Sequence, residues 1–221
     1  MVTVADMTDL FIEETGMCPQ IDVHLNDVGT VTYIPSHIQY MLQELLKNAC
    51  VAEVQKVRRQ SSAGTKTEPG NIRLELIRKK DRLCIIVNDN AGGLPNEHVW
   101  SYGYSGWRER QKKPKAKRDM DTTGSDATGV YPPWHKRVAG GGVGLAMLKM
   151  YVELFGGSVG VLKDLPYDFN LLSSNAIVDG GDQDGVYVIL AVGKEAEDEC
   201  IWDAKRGGFL YQQDLHLSVL R

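Results

Sequence analysis

Apolar residues recur at helical spacing between residues 36 and 58, and this is the most regular pattern in the chain. The repeating positions, three or four residues apart, are Ile38, Met41, Leu42, Leu45, Ala49 and Ala52. Such a period predicts a helix with one apolar face. We expect Ser36 to cap its N-terminus, with Gln39 at the capping-box position, and the helix to end near Arg58.

Alternating and continuous apolar segments predict a mixed sheet. Ile72, Leu74 and Leu76 alternate with polar residues, as in a half-buried strand. Residues 83–87 are apolar throughout, which is typical of a central strand covered on both faces. The remaining segments with strand character are residues 23–25, 31–34, 158–162 and 186–192.

A second helix is predicted after the glycine run at residues 140–144. Its apolar side would consist of Leu145, Leu148, Tyr151, Val152 and Phe155. Gly156 and Gly157 would end it, since glycine is favoured just past a helix C-terminus. The expected fold class is therefore α/β, a two-layer sandwich with the helices on one face of a mixed sheet.

Length and composition are those of an ordinary folded domain. The 221 residues can bury a core and favour one domain with a minor appendage. A net charge of −4 gives no general attraction to nucleic acid or anionic membranes. No apolar run approaches the ~20 residues of a membrane span, and residues 1–16 resemble neither a signal peptide nor a transit peptide. The four cysteines are far apart, without metal or redox spacing, and favour a reducing compartment.

Residues 94–138 form a long segment without a clear period. It is aromatic at its start, basic at residues 112–118, and then rich in Gly, Ser, Thr and Asp. Loops of this length are usually functional or disordered. The basic run favours a solvated loop over a docking surface for an acidic partner. Its aromatic residues are too sparse to stack nucleic-acid bases, so we expect no nucleic-acid partner.

Glu44 and Asn48 lie one helical turn apart at the border of the apolar face. A carboxylate can orient or deprotonate a nucleophile, and an amide oxygen is a hard ligand suited to Mg²⁺. Taken alone, the pair is more simply explained as part of the solvated face of the helix. A carboxylate beside Leu45 is, however, poorly placed for free solvation and favours a partner.

Two glycine-rich turns follow at intervals that suit a nucleotide site. Asp89 ends a buried strand and precedes Gly92 and Gly93. The turn is either a plain connection, or a place where backbone approaches a flat ligand and Asp89 accepts a hydrogen bond from the exocyclic amine of adenine. Residues 140–145 open a helix and would present free N–H groups to phosphates. They are no dinucleotide fingerprint, because a long loop precedes them.

In this order, the three motifs resemble the ATP-binding domain of the GHKL superfamily, which includes gyrase-type ATPases and bacterial histidine kinases. Residues 44–49 resemble its N-box, residues 89–93 its first glycine box and residues 140–145 its second. The resemblance implies a Bergerat-type ATP-binding fold with a long ATP lid, and ATP and Mg²⁺ as cofactors.

The chain is further similar to the mitochondrial kinases that phosphorylate 2-oxoacid dehydrogenase complexes. Residues 33–49 and 153–158 carry this similarity, and residues 102–105 resemble the start of the family's lid. Tyr40 and the long lid are closer to the branched-chain kinase than to pyruvate dehydrogenase kinases, and the subtype stays open.

The resemblance implies a role for each site residue. Asn48 would coordinate Mg²⁺, and Glu44 would act as general base on a substrate serine. Asp89 and Gly93 would bind adenine, while the second glycine box would hold the phosphates. The residues expected to contact the cofactor are Lys47, Asn48, Ala52, Asp89, Gly93, Ser105, Gly106, Gly140, Gly141, Gly142, Val143, Gly144 and Leu145.

The implied activity is that of a protein kinase that transfers the γ-phosphate of ATP to serine on the E1 subunit of a mitochondrial 2-oxoacid dehydrogenase. The implied surroundings are the E2 lipoyl domain as a second partner and the mitochondrial matrix as location, and a homodimer is compatible with them. Two alternatives stay open. The first is a histidine autokinase or GHKL ATPase, although no phosphoacceptor His on a dimerising helix is evident. The second is a catalytically silent nucleotide-binding module.

The expected domains are an N-terminal extension at residues 1–21, a GHKL domain at 22–195 with its lid at about 94–139, and a tail at 196–221. The N-terminal helical domain of the mitochondrial kinases has no counterpart, so an isolated catalytic domain is expected.

Several positions depart from the family pattern. Ala91 replaces a glycine of the first glycine box, and Val51 replaces an arginine expected to contact phosphate. Val186 stands where a threonine would help to hold adenine, and the insert at residues 163–184 is longer than usual. These departures keep the silent module in contention.

Overall fold

The computed structural model describes residues 4–26, 28–62, 67–94, 97–104, 138, 141–170, 185–192, 201–203, 208–210 and 217–218. Its elements along the chain are α1 (Val4–Thr15), β1 (Ile21–Asn26), β2 (Thr30–Thr32), α2 (Pro35–Ser62), β3 (Ile72–Lys79), β4 (Arg82–Asn88), α3 (Gly144–Leu154), β5 (Ser158–Val161), α4 (Tyr167–Asn170), β6 (Gly185–Ala191), β7 (Ile201–Asp203), β8 (Gly208–Leu210) and β9 (Leu217–Ser218). Short 3-10 helices lie at Glu97–Trp100 and Leu162–Asp164.

The main sheet has five strands in the order β1-β3-β4-β6-β5. β1 runs parallel to β3, and the other neighbours are antiparallel, so the expected mixed sheet is confirmed. The strands predicted at residues 72–76, 83–87, 158–162 and 186–192 are all present. The segments at residues 23–25 and 31–34 belong to different sheets. β2 pairs with β7, in a second sheet that includes three strands of the predicted tail.

The three long helices contribute to one core on the first face of the main sheet. The predicted apolar face of α2 is confirmed, because Ile38, Met41, Leu42, Leu45 and Ala49 are buried there against β3 and β4. From α3, Leu148 and Val152 join the same core, while Phe155 is more exposed than predicted. α1, in the predicted extension, also contributes, through Met7 and Phe11. The proposed domain boundaries themselves stay predictions.

The second face of the sheet is also covered. Ile77, Cys84, Ile86, Tyr187 and Ile189 pack there against Leu162, Leu165 and Phe169. Phe169 belongs to α4, so the short helix α4 lies opposite the three long ones, and the start of the predicted insert is part of a core. This cover explains why β4 is buried from Leu83 to Val87, as its sequence indicates.

β3 is more deeply buried than its alternating sequence indicates. Glu75, expected on a solvated face, is fully buried on the second face. Its carboxylate accepts a hydrogen bond from the side-chain amide of Asn26, and Arg73 lies 3.8 Å away. The prediction of a half-buried strand is therefore wrong, because the second face is also covered. Polar partners on β1 and β3 compensate the buried charge.

The start of α2 and the end of α3 have clear physical causes, whereas the end of α2 lies at Ser62, one turn past the predicted Arg58. α2 begins at Pro35, and the Ile34 carbonyl accepts the first hydrogen bonds, from the amides of His37 and Ile38. Proline suits the first helical position, so the prediction of Ser36 as N-cap is wrong. The predicted stop of α3 is confirmed. The amides of Gly156 and Gly157 bond to the carbonyls of Glu153 and Val152, with Gly156 at φ 73°, which is a Schellman motif.

Leu76 is fully buried in β3, within the core of the first face. Leu76→Ala should lower the free energy of unfolding by about 2–5 kcal/mol, because it removes apolar contacts and leaves a cavity. Leu154→Ala, on α3 where the residue is 71% exposed, should change it by less than about 0.5 kcal/mol. Urea unfolding of both variants measures the difference, and equal losses would contradict the assignment of Leu76 to the core.

Candidate functional site

Glu44 and Asn48 lie on the flank of α2, at the border of the face that packs on the sheet. Asn48 is half-buried, and the Glu44 side chain is only 13% exposed. The Glu44 carboxylate forms an ion pair with the ammonium group of Lys47. Ala52, one turn after Asn48, is also half-buried. The predicted carboxylate and carboxamide thus share one partly enclosed side of α2, as their spacing requires.

The Glu44 carboxylate lies directly against the first residue of α3. A Cβ atom at Gly144 would stand 1.8 Å from Glu44 Oε2, so only glycine permits this approach. The Tyr40 hydroxyl donates to the Gly144 carbonyl at 3.5 Å. Burial, with smaller contributions from Glu44 and Tyr151, raises the pKa of Tyr40 and keeps this donor protonated. Two motifs about 100 residues apart in sequence therefore meet at the N-terminus of α3, where the helix dipole favours negative charge.

An aromatic cluster holds α2 and α3 in this arrangement. The His37 ring stacks on Tyr151 with centroids 4.5 Å apart, and it lies 5.3 Å from Phe155. Tyr40 meets Tyr151 edge to face at 5.8 Å, and Tyr33 meets Phe155 in the same way at 6.1 Å. Such pairs stabilise packing beyond the area they bury. The relative position of Glu44 and Gly144 is therefore fixed by side chains on both helices.

The second glycine box contacts the beginning of the predicted lid. The Gly103 amide donates to the Gly142 carbonyl at 2.9 Å. Gly142 has φ 82°, and a Cβ atom there would stand 2.2 Å from the Tyr104 carbonyl oxygen. Val143 precedes α3 and its carbonyl accepts from Met147, while Leu145 packs partly into the core. The loop before α3 and residues 103–104 thus form one unit.

The turn after β4 holds Asp89 in a defined orientation. The Ala91 amide donates to Asp89 Oδ1 at 2.9 Å, so the carboxylate is fixed by its own turn. Gly92 and Gly93 follow with φ of 100° and 70°. Ala91 avoids the left-handed region, which Lys80 alone among the described non-glycine residues occupies. The alanine in place of glycine at position 91 therefore imposes no backbone strain.

Glu53 is a site-adjacent residue that sequence reasoning missed. It is fully buried on α2, and its carboxylate accepts from the amides of Asn90 and Gly70, each at 2.9 Å. The sequence did indicate its burial, because Glu53 lies four residues from Ala49 and four from Val57, both on the buried face.

The thiol of Cys50 lies near the same carboxylates. A hydrogen bond with Cys18, followed by burial, raises the pKa of Cys50, and the charges of Asp89 and Glu53 raise this pKa further.

The structure therefore connects both predicted glycine boxes to α2. Glu44 contacts Gly144, Gly142 contacts Tyr104, and the Asp89 turn is bonded to α2 through Glu53. Lys47 is paired with Glu44. Ser105, Gly106 and Gly140, the basic run at residues 112–118 and most of the lid lie outside the described residues.

Two further features of the described residues concern metal ions and membranes. Within the described part of the chain, no group of three or more His, Cys, Asp or Glu side chains is arranged to hold a metal ion. None of the helices in the described ranges is both long and apolar enough to cross a membrane.

Comparison with known proteins identifies the class to which this fold and site belong. Residues 33–193 match the family of histidine kinase-, DNA gyrase B-, and HSP90-like ATPases. The match covers more than half of the chain, so the protein belongs to this family of ATPases and has its ATP-binding fold. The expected Bergerat-type fold and the GHKL resemblance are thereby confirmed.

Within this family, the chain is similar to mitochondrial pyruvate dehydrogenase (acetyl-transferring) kinases. It is 30% identical to kinase 1 of Saccharomyces cerevisiae over 60% of this chain and 29% of the relative. Identity to the Drosophila melanogaster kinase is 27%, over 67% of this chain and 32% of the relative. For the Arabidopsis thaliana kinase it is 25%, over 71% and 39%. The chain thus spans about a third of the length of these relatives.

Proposed function

We propose that this protein is the ATP-dependent catalytic domain of a serine protein kinase acting on a mitochondrial 2-oxoacid dehydrogenase. The contact between the Glu44 carboxylate and Gly144 carries the proposal. It joins the N-box to the start of the phosphate-binding helix, at the one place where a base and the phosphates must meet. The similarity to pyruvate dehydrogenase kinases supplies the reaction and the class of substrate.

Asp89 and Gly93 would bind the adenine base. An ionised carboxylate only accepts hydrogen bonds, so Asp89 favours the amino group of adenine over the carbonyl of guanine. The bond from Ala91 to Asp89 Oδ1 supports this role, because it orients the carboxylate before a nucleotide enters. The left-handed Gly92 and Gly93 let the turn approach a flat ring without a Cβ atom in the way.

The residues present also suit a magnesium-bound triphosphate. Asn48 provides a half-buried amide oxygen, which is a hard ligand of the kind that Mg²⁺ takes. The amides of residues 141–145 open α3 and would hold phosphate oxygens, as helix N-termini do. Lys47 and Ala52 would flank Asn48, while Ser105, Gly106 and Gly140 would help to enclose the phosphates. A bound Mg²⁺ would supply positive charge that offsets the charge of the phosphates.

Glu44 would act as the general base. Its carboxylate is held at the N-terminus of α3 and is nearly enclosed, so it can accept the proton of a serine hydroxyl that approaches the phosphates. Phosphoryl transfer relies mainly on positioning and charge stabilisation. The aromatic cluster between α2 and α3 provides that positioning, because it fixes Glu44 against Gly144.

The similar kinases support a proposal for the protein partners and the location of the chain. We propose the E1 subunit as substrate, the E2 lipoyl domain as a docking partner, a homodimer as the working form and the mitochondrial matrix as the location. The names of the similar kinases are those of mitochondrial proteins. The branched-chain or pyruvate dehydrogenase subtype stays a prediction from Tyr40 and the lid.

A nucleotide-binding module without phosphotransfer is the second candidate, and one observation favours it. Val186 is buried in β6 opposite Val87, one residue pair from the end of β4. Its apolar side chain offers no hydroxyl to a base held by Asp89. The autokinase and simple ATPase alternatives stay predictions that no contact in the described residues favours.

Calorimetric titration of Mg·ATP into the wild type and Asp89→Ala tests nucleotide binding. Loss of a hydrogen bond to a charged group is worth about 1.5–3 kcal/mol, so the Kd for ATP should rise by roughly 10- to 100-fold. Absence of binding by the wild type would overturn the nucleotide site. Equal affinities would overturn the role of Asp89 while leaving the site in place.

Transfer of labelled phosphate to a dehydrogenase E1 subunit separates a kinase from a silent module. The wild type should label serine, and Glu44→Ala should not, although it still binds ATP. Binding without any transfer by the wild type would favour the module.

A further inference from the structure

Glu53 is a fully buried carboxylate on the core-facing side of α2. A buried charge is unfavourable unless hydrogen bonds and an opposite charge compensate it. Glu53 Oε1 accepts from the Asn90 amide and Oε2 from the Gly70 amide, each at 2.9 Å. Lys56, one turn further along α2, has its ammonium nitrogen 3.7 Å from Oε1. All three partners lie at one end of the sheet, beside the turn that carries Asp89.

Lys56 completes a two-sided attachment of Asn90. Its ammonium group donates to the Asn90 carbonyl at 2.5 Å, while Glu53 accepts from the Asn90 amide. Both polar main-chain groups of one residue are therefore bound by two side chains of the same helix. The side-chain amide of Asn90 also donates to the Asn71 carbonyl at 3.4 Å. We call Glu53 and Lys56 the α2 clamp.

The approach of the third segment leaves little room for change. A Cβ atom at Gly70 would stand 3.1 Å from Glu53 Oε2 and 3.2 Å from Asn90 Nδ2. A side chain at position 70 would therefore require the Glu53 carboxylate and the Asn90 amide to shift by a few tenths of an ångström. The carboxylate joins α2, this loop and the turn after β4 at a single point.

The clamp connects the two parts of the chain that carry Asn48 and Asp89. Glu53 lies five residues after Asn48 on the same helix, and Asn90 directly follows Asp89. The helix is rigid, so the clamp sets how far the Asp89 carboxylate lies from the Asn48 amide. In the proposed function, that distance is the one between adenine and the phosphates.

We propose that Glu53, supported by Lys56, is a positioning residue that sets the selectivity of this site for the adenine base. It touches no substrate and acts through Asn90 on the orientation of Asp89. The inference rests on the proposed nucleotide site and adds the residue that adjusts it. Recognition of a 6-amino purine would then depend on a carboxylate inside the core as well as on Asp89 itself.

The test compares the Kd values for ATP and for purine riboside triphosphate, which lacks the 6-amino group. The variants are Glu53→Gln, which keeps the shape but can accept only one of the two amides, and Lys56→Met, which removes the bond to Asn90 at a residue whose side chain is 28% exposed. Glu75→Gln is the matched control, because Glu75 is equally buried but bonds to β1 and β3. Thermal unfolding of each variant reports the general loss of stability.

We expect Glu53→Gln to raise the Kd for ATP by about tenfold, since weakening one hydrogen bond to a charged group changes an affinity by about this factor. The Kd for the analogue should change less, so the ratio of the two affinities should fall. Lys56→Met should lower the ratio in the same direction, and it serves alone if Glu53→Gln does not fold. Glu75→Gln should leave the ratio unchanged even where its melting temperature falls.

Two results would overturn the inference, and they are distinguishable. If the wild type prefers ATP over the analogue and neither clamp variant changes that preference more than Glu75→Gln does, the clamp has no part in selectivity. If the wild type does not bind Mg·ATP, the proposed function is wrong, and so is this inference, which depends on it.

Discussion

Asn48→Ala should abolish Mg·ATP binding, with the Kd raised by at least about 100-fold. Removal of even an outer partner of a metal ligand typically lowers metal affinity 10- to 100-fold, and Asn48 is proposed as the ligand itself. Calorimetry with ATP, in the presence of Mg²⁺ and again with excess chelator, measures the effect.

The matched comparison is Glu44→Gln, one turn earlier on the same flank of α2. Glutamine preserves the packing against Gly144 and removes the charge, so ATP should still bind while labelled phosphate no longer reaches E1. Removal of Mg²⁺ from the wild type by a chelator should lower the affinity for ATP as much as Asn48→Ala does. If Asn48→Ala bound Mg·ATP as tightly as Glu44→Gln does, Asn48 would not be the metal ligand.

The sequence pattern was sufficient to predict α2, α3 and the five strands of the main sheet. The spacing of the apolar residues from Ile38 to Ala49 matches only a helix, and residues 83–87 suit a strand covered on both faces. The partner of β2 could not be predicted in this way. Pairing with β7 joins segments about 170 residues apart, and short strands carry no signal for a distant neighbour.

The site was predictable where a motif fixes the backbone and unpredictable where tertiary contacts decide. Spacing alone places Glu44 and Asn48 on one side of a helix, whereas the contact of Glu44 with Gly144 depends on how two helices pack. Glu53 shows the same limit. Its position in the buried stripe was readable, but its two amide partners come from turns whose approach no local pattern specifies.

Burial was predicted correctly on the first face of the sheet and less well on the second. On the first face, the apolar residues of α2 match those of β3 in the expected way. On the second face, Glu75 is buried although its place in an alternating strand indicates exposure. Alternation predicts which side of a strand a residue occupies, but cover on that side, here by Leu162, Leu165 and Phe169, comes from elsewhere in the chain.

Gly142→Ala should disrupt the nucleotide site. Gly142 has φ 82°, a conformation that costs other residues roughly 1–2 kcal/mol. Its added Cβ atom would also stand 2.2 Å from the Tyr104 carbonyl oxygen, a backbone atom that cannot rotate away. The loop before α3 and residues 103–104 would have to separate, which breaks the bond from Gly103 to Gly142. We expect the Kd for Mg·ATP to rise on the order of 100-fold, because each lost hydrogen bond to a charged phosphate costs about 1.5–3 kcal/mol.

Gly141→Ala is the matched control, one residue earlier in the same loop. Among the described residues other than its chain neighbours, no heavy atom lies within 4 Å of a Cβ atom at Gly141, and its φ is outside the left-handed region. This variant should bind Mg·ATP within about twofold of the wild type, because neither strain nor a clash arises. Calorimetry of both variants, with thermal unfolding to confirm that each is folded, measures the contrast. Wild-type affinity in a folded Gly142→Ala protein would show that the contact between the glycine loop and Tyr104 is not required to hold the phosphates.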